Sequence, residues 1–258
     1  MFNRVKAVTR AIAVSAKYRW PKVLAGEMKQ DWDGRASANA MGHINTAQPC
    51  WEAASFFATG EADVQQQTGG FFTGADFDPT EKCMLEIGCG IGRMTRAFAR
   101  RFRKVYVLDV SEEMIRQGRE LHASYDNIIW TVGSGIDLGC YRDAQFDFCF
   151  SYIVFQHIPT EQAIFSYVRE IGRVLRPGGL FKFQVQNLAR ARRFAVVESK
   201  KVPWLKRKIT VTAQHYDTWG GAYVDEGRLR RELARAKLHL LDLTGQGTRY
   251  MWAAGRKT

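Results

Sequence analysis

The sequence lacks any long apolar run. Of its 258 residues 46% are hydrophobic, yet no apolar segment approaches the roughly 20 residues that a membrane-spanning helix needs. Residues 1–20 hold a short apolar patch between basic residues, which is too short for a signal peptide and is typical of an amphipathic helix. We therefore expect no transmembrane segment and a chain large enough to bury one substantial core.

Cysteine is also scarce, and its pattern excludes two classes of site. The five cysteines are Cys50, Cys83, Cys89, Cys140 and Cys149. They are odd in number and lack the spacing of metal ligands, so they indicate neither a disulfide framework nor a metal centre. Free thiols of this kind are typical of a reducing compartment, and we expect a cytoplasmic protein without a bound metal.

Acidic residues are the minority among the charges. The chain has 38 Lys and Arg against 26 Asp and Glu, a formal charge of +12, and residues 188–208 hold eight basic residues beside the single acid Glu198. This segment is either a solvated loop or a surface for an anionic partner: a phosphorylated or carboxylated acceptor, RNA, or an anionic membrane face. The chain has no aromatic RNP motif or helix-turn-helix pattern, so RNA is not the favoured partner.

Three alternate glycines stand between a predicted strand and a helical pattern. Gly88, Gly90 and Gly92 follow the apolar residues 82–87, at the point where a buried strand must turn tightly into a helix. Glycine has no Cβ to obstruct a nucleotide there. The third glycine comes one position too early for the dinucleotide fingerprint, and Glu86 gives the pattern E-x-G-x-G-x-G instead.

A second strand ends in a carboxylate. Residues 104–108 read KVYVL and are followed by Asp109, as expected of an acid that accepts hydrogen bonds from two ribose hydroxyls. Ser111, followed by Glu112 and Glu113, predicts the start of a helix with a hydroxyl cap and acidic residues in its first turn.

Further motifs follow in order after this strand. They are a strand at 126–132, a strand at 146–151, a helix end and turn at 171–179, and a strand at 180–186. With the glycines and Asp109, this series resembles the class I S-adenosylmethionine (SAM)-dependent methyltransferases over residues 80 to 187.

The resemblance implies an α/β fold. We expect a Rossmann-like, seven-stranded, mostly parallel sheet with helices on both faces and a terminal antiparallel strand. Helical spacing at 226–237 and strand-like residues at 238–244 and 248–254, with glycines between the two strands, predict that the chain ends in a hairpin.

The resemblance also implies a division of the chain. Residues 1–79 would form a helical lid, with a basic first helix and further elements around 35–44 and 51–58. Residues 80–258 would form the SAM-binding core, with a basic insertion at about 188–223. The lid segment is rich in aromatic residues, and we expect most of them to pack the lid onto the core and one or two to line the pocket.

By resemblance, Glu86 closes the base of a SAM pocket and Asp109 holds the ribose. The glycine backbone, including Cys89, approaches the amino-acid and ribose parts, and Val110 and Met114 touch the adenine. The backbone of Ser151 and Ile153 contacts the methionine end. The adenine edge is expected at Ser134, Gly135, Ile136 and Asp137, where either Asp137 or a backbone group reads the amino group.

His157 is the candidate for a base that faces the acceptor. It follows the fourth predicted strand by a short segment, and imidazole titrates in the range useful for proton transfer. The alternative is a histidine that braces the turn before Pro159. Gln156 and Tyr152 share its location. We expect a packed loop at three residues of the basic insertion, His215, Tyr216 and Trp219. The alternative is that they face the same cleft as His157.

The sequence therefore predicts an enzyme that moves a methyl group from SAM to an oxygen or nitrogen of a small-molecule acceptor, mainly by proximity and orientation. Two alternatives remain: an RNA methyltransferase, and a SAM-binding regulatory subunit that transfers nothing. A further variant has the basic segments at an anionic membrane face while a lipid-like acceptor enters the lid.

Overall fold

The computed structural model describes residues 21–188 and 221–258. The helices are α1 (Pro21–Ile44), α2 (Ala53–Gly74), α3 (Thr95–Ala99), α4 (Glu112–Leu121), α5 (Glu161–Val174) and α6 (Glu226–Arg235), with a single 3-10 turn at Phe155–His157. The strands are β1 (Cys83–Ile87), β2 (Lys104–Asp109), β3 (Ile128–Val132), β4 (Phe146–Ser151), β5 (Leu175–Val185), β6 (Leu238–Thr244) and β7 (Met251–Lys257).

Within these residues the strands form one seven-stranded sheet. Its order is β3-β2-β1-β4-β5-β7-β6, with β1 to β5 parallel to one another and β7 antiparallel to both β5 and β6. The expected Rossmann-like sheet with a terminal antiparallel strand is confirmed. The strand order reverses direction between β1 and β4, which is where α/β sheets of this kind bind their ligands.

Both faces of the sheet are covered by helices. Because successive side chains of a strand point to opposite faces, Leu85 and Met84 of β1 fall into two different apolar clusters. The Leu85 cluster includes apolar residues of α5 and α6, whereas the Met84 cluster includes residues of α2, α3 and α4. The sheet is therefore buried on both sides, as a parallel sheet must be.

The helices that precede β1 are longer than their sequence pattern indicates. The element expected around residues 35–44 is the second part of α1, which is kinked at Asn39, where φ is −169° and ψ is 83°. The Asn39 side chain accepts a hydrogen bond from Gly42 N at 3.0 Å and donates one to Pro49 O at 2.8 Å. The element expected at 51–58 continues as α2 to Gly74. Tertiary packing extends both helices beyond their local apolar periodicity.

Several expected boundaries differ by a few residues. The fifth strand begins at Leu175 rather than 180, because Leu175 already pairs with Phe146 of β4; the turn at residues 176–179 follows as an irregularity before Leu180 pairs with Phe148. The seventh strand lies at Met251–Lys257 rather than 248–254, since Thr248 closes the preceding turn. The predicted cap is confirmed: Ser111 Oγ accepts a hydrogen bond from Met114 N at 3.0 Å.

Some predictions fall outside the described residues. These are the basic first helix, Trp20, the basic residues of 189–220, and His215, Tyr216 and Trp219. In the two described ranges, no helix combines the length and the apolar character needed to cross a bilayer.

Candidate functional site

A cleft opens at the carboxyl ends of the central strands. It encloses about 970 Å³ of empty space, including its opening to solvent. The ends of β1 and β2 and the segment that follows β4 form its floor, and α1 covers one side. A cleft of this size is in the range that accommodates a nucleotide cofactor.

The glycine loop, residues 88–92, turns sharply at the end of β1. Gly88 and Gly90 line the cleft, and their φ angles of +74° and +55° belong to the left-handed region that glycine adopts without strain. A Cβ on Gly88 would lie 2.2 Å from Val154 Cγ2, and one on Gly90 would lie 2.7 Å from Ile44 Cδ1. The loop therefore needs glycine both for its conformation and for the close approach of its neighbours.

Asp109 lies at the end of β2, facing the glycine loop. Its carboxylate accepts hydrogen bonds from Gly90 N and Ser111 N, both at 2.9 Å. Burial raises the pKa of this carboxyl, and hydrogen bonds from the backbone N–H groups of Ser111, Gly90 and Val110 partly offset the rise. A carboxylate has about four acceptor positions, so acceptor capacity remains for hydroxyl groups in the cleft.

Glu86 is buried beneath the loop. Its Oε2 accepts a hydrogen bond from Thr95 Oγ1 at 2.7 Å, and the residue is 5% exposed. Burial raises the pKa of Glu86 to about 7, and the Thr95 hydroxyl and the positive charge of Arg93 partly offset this rise. Glu86 therefore changes its charge near neutral pH at the base of the cleft.

The segment after β4 forms the wall opposite Asp109. Ile153 has φ +56°, which is strained for a β-branched residue, and His157 ends the 3-10 turn. Tyr152 stacks on Trp252 at 4.9 Å between ring centroids, and burial raises the pKa of its hydroxyl to about 12. At neutral pH Tyr152 thus offers a protonated hydroxyl rather than a base.

Helix α1 supplies the outer wall. Met28, Trp32, His43 and Ile44 line the cleft, and the Trp32 ring meets the His157 ring edge to face at 5.6 Å between centroids. Several other aromatic residues before β1 do not line the cleft and are packed in the apolar clusters, as expected. Phe56, Phe57 and Phe72 are buried.

The structure brings eleven of the predicted site residues together in this cleft. They are Glu86, Gly88, Cys89, Gly90, Asp109, Val110, Met114, Gly135, Tyr152, Ile153 and His157. Six other predicted residues do not line it. They are Gly92, Ser134, Ile136, Asp137, Ser151 and Gln156.

Three of these residues support the residues that line the cleft. A Cβ on Gly92 would lie 2.8 Å from both His122 Cε1 and Trp130 Cη2, so this glycine permits packing beneath the loop. Ser151 Oγ donates to Ile87 O at 3.0 Å and joins the ends of β4 and β1. Gln156 Nε2 lies 3.3 Å from His157 Nε2.

The turn at residues 134–137 is held by its own polar groups. Ser134 Oγ donates to Asp137 Oδ1 at 2.8 Å and accepts from Asp137 N at 3.1 Å. Asp137 Oδ1 also accepts from Gly139 N at 3.1 Å. The carboxylate thus stabilises the turn, while Gly135 reaches the cleft.

Arg93 is a wall residue that sequence reasoning did not select. It is 6% exposed, and its Nη1 donates to Asp63 Oδ2 at 2.6 Å and to Thr59 Oγ1 at 3.1 Å. These bonds tie the end of the glycine loop to α2. The sequence signal is its position directly after Gly92, but its partners are about 30 residues away and carry no local signature.

The donors and acceptors of the cleft fit SAM. Asp109 can accept hydrogen bonds from two ribose hydroxyls, the exposed backbone of Gly88 and Gly90 admits close approach, and Val110 and Met114 offer apolar contact to a planar base. The cleft thus matches SAM in the chemistry of its lining groups and in its size.

Comparisons with known proteins agree with this geometry. A methyltransferase domain model matches residues 85–183. The ubiquinone biosynthesis O-methyltransferase of Xanthomonas oryzae pv. oryzae (strain PXO99A) is 27% identical over 177 residues, which are 67% of this chain and 70% of that protein.

Two solved structures share the fold. Haemonchus contortus phosphoethanolamine N-methyltransferase 1, in complex with phosphoethanolamine and S-adenosylhomocysteine (SAH), has a TM-score of 0.63 at 19% identity. The match covers 93% of this chain but 50% of that enzyme. Burkholderia thailandensis 1,6-didemethyltoxoflavin-N1-methyltransferase, with bound 1,6-didemethyltoxoflavin and SAH, has a TM-score of 0.59 at 17% identity. The match covers 93% of this chain and 91% of that enzyme.

Proposed function

We propose that this chain methylates an oxygen or nitrogen atom of a small-molecule acceptor. It is a SAM-dependent methyltransferase of the class I fold, with its methyltransferase domain at residues 85–183. The observation that carries the proposal is the single cleft. Asp109 and the glycine loop line one side, and Tyr152, His157 and Trp32 line the other. Cofactor and acceptor can therefore meet without leaving the cleft.

The relatives support a small acceptor without deciding the atom. The Xanthomonas protein is named an O-methyltransferase, and the two structural neighbours are N-methyltransferases whose titles name phosphoethanolamine and 1,6-didemethyltoxoflavin. All three names or titles point to small molecules. This chain would share with them the position of the wall that faces the acceptor, formed here by the segment after β4. It need not share the identity of the methylated atom.

Catalysis would depend mainly on positioning. The sulfonium of SAM supplies an electrophilic methyl group when it is bound. Asp109 and the glycine loop would hold the ribose and amino-acid parts, and Trp32 and Tyr152 would confine the acceptor beside the methyl. Alignment of two reactants in this way can lower a barrier by several kcal/mol.

His157 would take the proton of the acceptor. Its ring lies in the cleft wall, and a positioned histidine contributes about 10²–10⁴-fold to a proton-transfer step. The gain depends on the acceptor, since one that is already ionised at neutral pH needs no base. The basic residues of 189–220 lie outside the described part of the chain, and Gly221, the next described residue, contacts the residue before His157. Gly221 N donates to Gln156 O at 2.7 Å, and Gln186 Nε2 donates to Gly221 O at 3.0 Å.

Calorimetric titration of SAM and SAH tests the cofactor site. We expect micromolar binding to the wild type and loss of binding in Asp109→Ala, because the ribose would lose its acceptor. Asp126→Ala, which removes an exposed aspartate ahead of β3, is the matched control and should bind as the wild type does. Absence of binding to the wild type would refute the assignment.

Detection of SAH from mixtures of SAM with phenols and amines tests transfer. We expect turnover of a small acceptor, and a larger loss in His157→Asn for an acceptor of high pKa than for one ionised at neutral pH. Equal losses for both acceptors would remove His157 as the base. Turnover of structured RNA, but of none of the small molecules, would overturn the small-molecule proposal.

A further inference from the structure

Arg93 is a buried arginine that lines the cleft and uses only part of its guanidinium. The residue is 6% exposed, and its Nη1 donates to Asp63 Oδ2 at 2.6 Å and to Thr59 Oγ1 at 3.1 Å. Its Nε and Nη2 donate to no described residue, yet neither nitrogen is fully enclosed. Because Arg93 lines the cleft, these N–H groups are available to a ligand there.

The unused edge of the guanidinium suits a carboxylate. Nε and Nη2 present parallel N–H groups, and such a fork binds both oxygens of a carboxylate at once. Nη1 lies on the other side of the guanidinium, where Asp63 and Thr59 of α2 hold it. The open edge is therefore oriented before a ligand arrives, which lowers the cost of binding.

The charges of the cleft also call for a cation at this place. Two carboxylic acids, Glu86 and Asp109, belong to the lining, and Arg93 is the one permanently charged cation among the described residues that line the cleft. Its positive charge acts on Glu86 and on the hydroxyl of Tyr152. A further carboxylate that enters the cleft meets two acids of its own sign, and Arg93 offsets their repulsion.

We propose that the Nε–Nη2 edge of Arg93 is a carboxylate-binding site within the cleft. Two ligands of the cleft can carry this group: the amino-acid end of the cofactor and an acidic acceptor. The inference rests on the proposed function, in which both ligands occupy the cleft.

The cofactor is the source that the geometry favours. In the proposed function Asp109 holds the ribose, and Gly90 N donates to Asp109 at 2.9 Å. Arg93 follows at the far end of the same loop, where it is tied to α2 rather than to β2. The amino-acid part of the cofactor extends away from the ribose, so its carboxylate would meet Arg93.

Calorimetric titration of SAH and decarboxylated SAH into the full chain tests the site. The two ligands differ only in the carboxylate, so the ratio of their dissociation constants reports on that group alone. We expect the wild type to prefer SAH and the preference to fall by about 10- to 100-fold in Arg93→Met, which keeps the apolar stem but removes the hydrogen bonds to a charged group. An unchanged preference would remove the cofactor as the source.

Arg100→Met is the matched control. Arg100 also forms an ion pair with an acid of α2, Glu61, at 2.7 Å, but it does not line the cleft. We expect the wild-type preference for SAH in this variant. Equal changes in Arg93→Met and Arg100→Met would overturn the proposal.

Asp63→Asn provides a second variant that keeps Arg93. It removes the counter-ion of the guanidinium, so the positive charge is less neutralised and the preference for SAH should rise. This variant decides the question if Arg93→Met does not fold. A preference that falls in Asp63→Asn would overturn the assignment to the cofactor.

Titration of benzoate into the SAH-saturated protein distinguishes the two sources. If the cofactor carboxylate occupies the site, benzoate should bind equally to the wild type and Arg93→Met. Benzoate binding that depends on Arg93, beside an SAH preference that does not, would show that an acidic acceptor supplies the carboxylate. Independence of both ligands from Arg93 would refute the site.

Failure of this site is distinguishable from failure of the proposed function. Methyl transfer to a small acceptor, together with independence of both ligands from Arg93, would refute the site and leave the proposed function in place. A wild type that binds neither SAH nor its decarboxylated form would overturn both.

Discussion

Asp33 of helix α1 accepts a hydrogen bond from Ser111 Oγ at 2.7 Å and another from the backbone N–H of Glu113 at 3.1 Å. A residue of the lid segment thus helps to cap α4, the helix that follows the Asp109 strand. Lys29, one turn earlier in α1, forms ion pairs with both Asp33 and Glu112 at 3.1 Å. The outer wall of the cleft is therefore tied directly to the side that Asp109 lines.

Substitution of Asp33 should loosen α1. Asp33→Ala removes a capping carboxylate, and we expect the free energy of unfolding to fall by about 1 kcal/mol and amide exchange to accelerate in α1 and in the first turn of α4. Asp31→Ala is the control, because Asp31 pairs with Arg35 of the same helix, and it should cost less than about 0.5 kcal/mol. Equal effects of the two variants would show that the contact to α4 contributes nothing.

The contact through Asp33 should weaken in acid. Burial raises the pKa of Asp33, but hydrogen bonds from Ser111, Glu113 N and Lys29 outweigh it, so the folded pKa is below the ordinary value of 3.8. The carboxylate therefore stabilises the fold above pH 3.8, and this contribution is lost as the pH falls through the lower, folded pKa. The protection factors of the α1 amides, which are corrected for the intrinsic pH dependence of exchange, should fall less in Asp33→Ala than in the wild type between pH 5 and 2.

Glu86 should make stability depend on pH in the opposite sense. Its pKa is about 7 in the fold, against an ordinary value of 4.5. Between these values the folded protein keeps a proton that the unfolded chain releases, so the contribution of Glu86 to stability is greatest below pH 4.5 and falls as the pH rises to 7. The loss is on the order of 3 kcal/mol.

Urea unfolding of the wild type and Glu86→Gln across pH 4.5 to 8 measures this effect. The glutamine can still accept from Thr95 Oγ1 but carries no charge, so the stability of the wild type relative to the variant should fall as the pH rises. A constant difference across this range would mean that Glu86 titrates normally.

Two glycine substitutions separate backbone strain from steric conflict. Gly92→Ala and Gly178→Ala both place a Cβ at positive φ, at +86° and +80°, and each should cost about 1–2 kcal/mol. The added methyl of Gly92→Ala also meets His122 and Trp130, whereas at Gly178 no described atom lies within 4 Å. We expect Gly92→Ala to be less stable than Gly178→Ala by about 1–3 kcal/mol in chemical unfolding. Equal losses would contradict the packing role of Gly92.

Asp137 should be dispensable for SAM affinity. Its carboxylate bonds within its own turn, while Gly135 reaches the cleft, so we predict that a backbone group reads the adenine edge. Asp137→Ala should bind SAM within about threefold of the wild type in calorimetry, equivalent to less than about 1 kcal/mol. A tenfold or larger loss would favour direct contact by the side chain.

The sequence by itself determined the central framework of the protein. The spacing of Gly88 and Gly90, the acid that ends β2, and the hydroxyl cap at Ser111 are local features, because turn conformation and capping depend on residues a few positions apart. The order of the motifs carried a family resemblance, which implied the seven-stranded sheet with its antiparallel strand, and the strand-like residues near the end of the sequence predicted a hairpin.

Tertiary structure decided which of these residues face the cleft and what surrounds them. Gly92 follows Gly90 in the same glycine pattern and Asp137 was a candidate for the adenine edge, yet neither of them lines the cleft. Trp32 reaches His157 across 125 positions of sequence, and the buried Gln184 of β5 donates a hydrogen bond to Gln156 at 3.1 Å. Such contacts depend on the packing of distant elements and on the direction of fixed hydrogen bonds, and one sequence carries no local pattern for either.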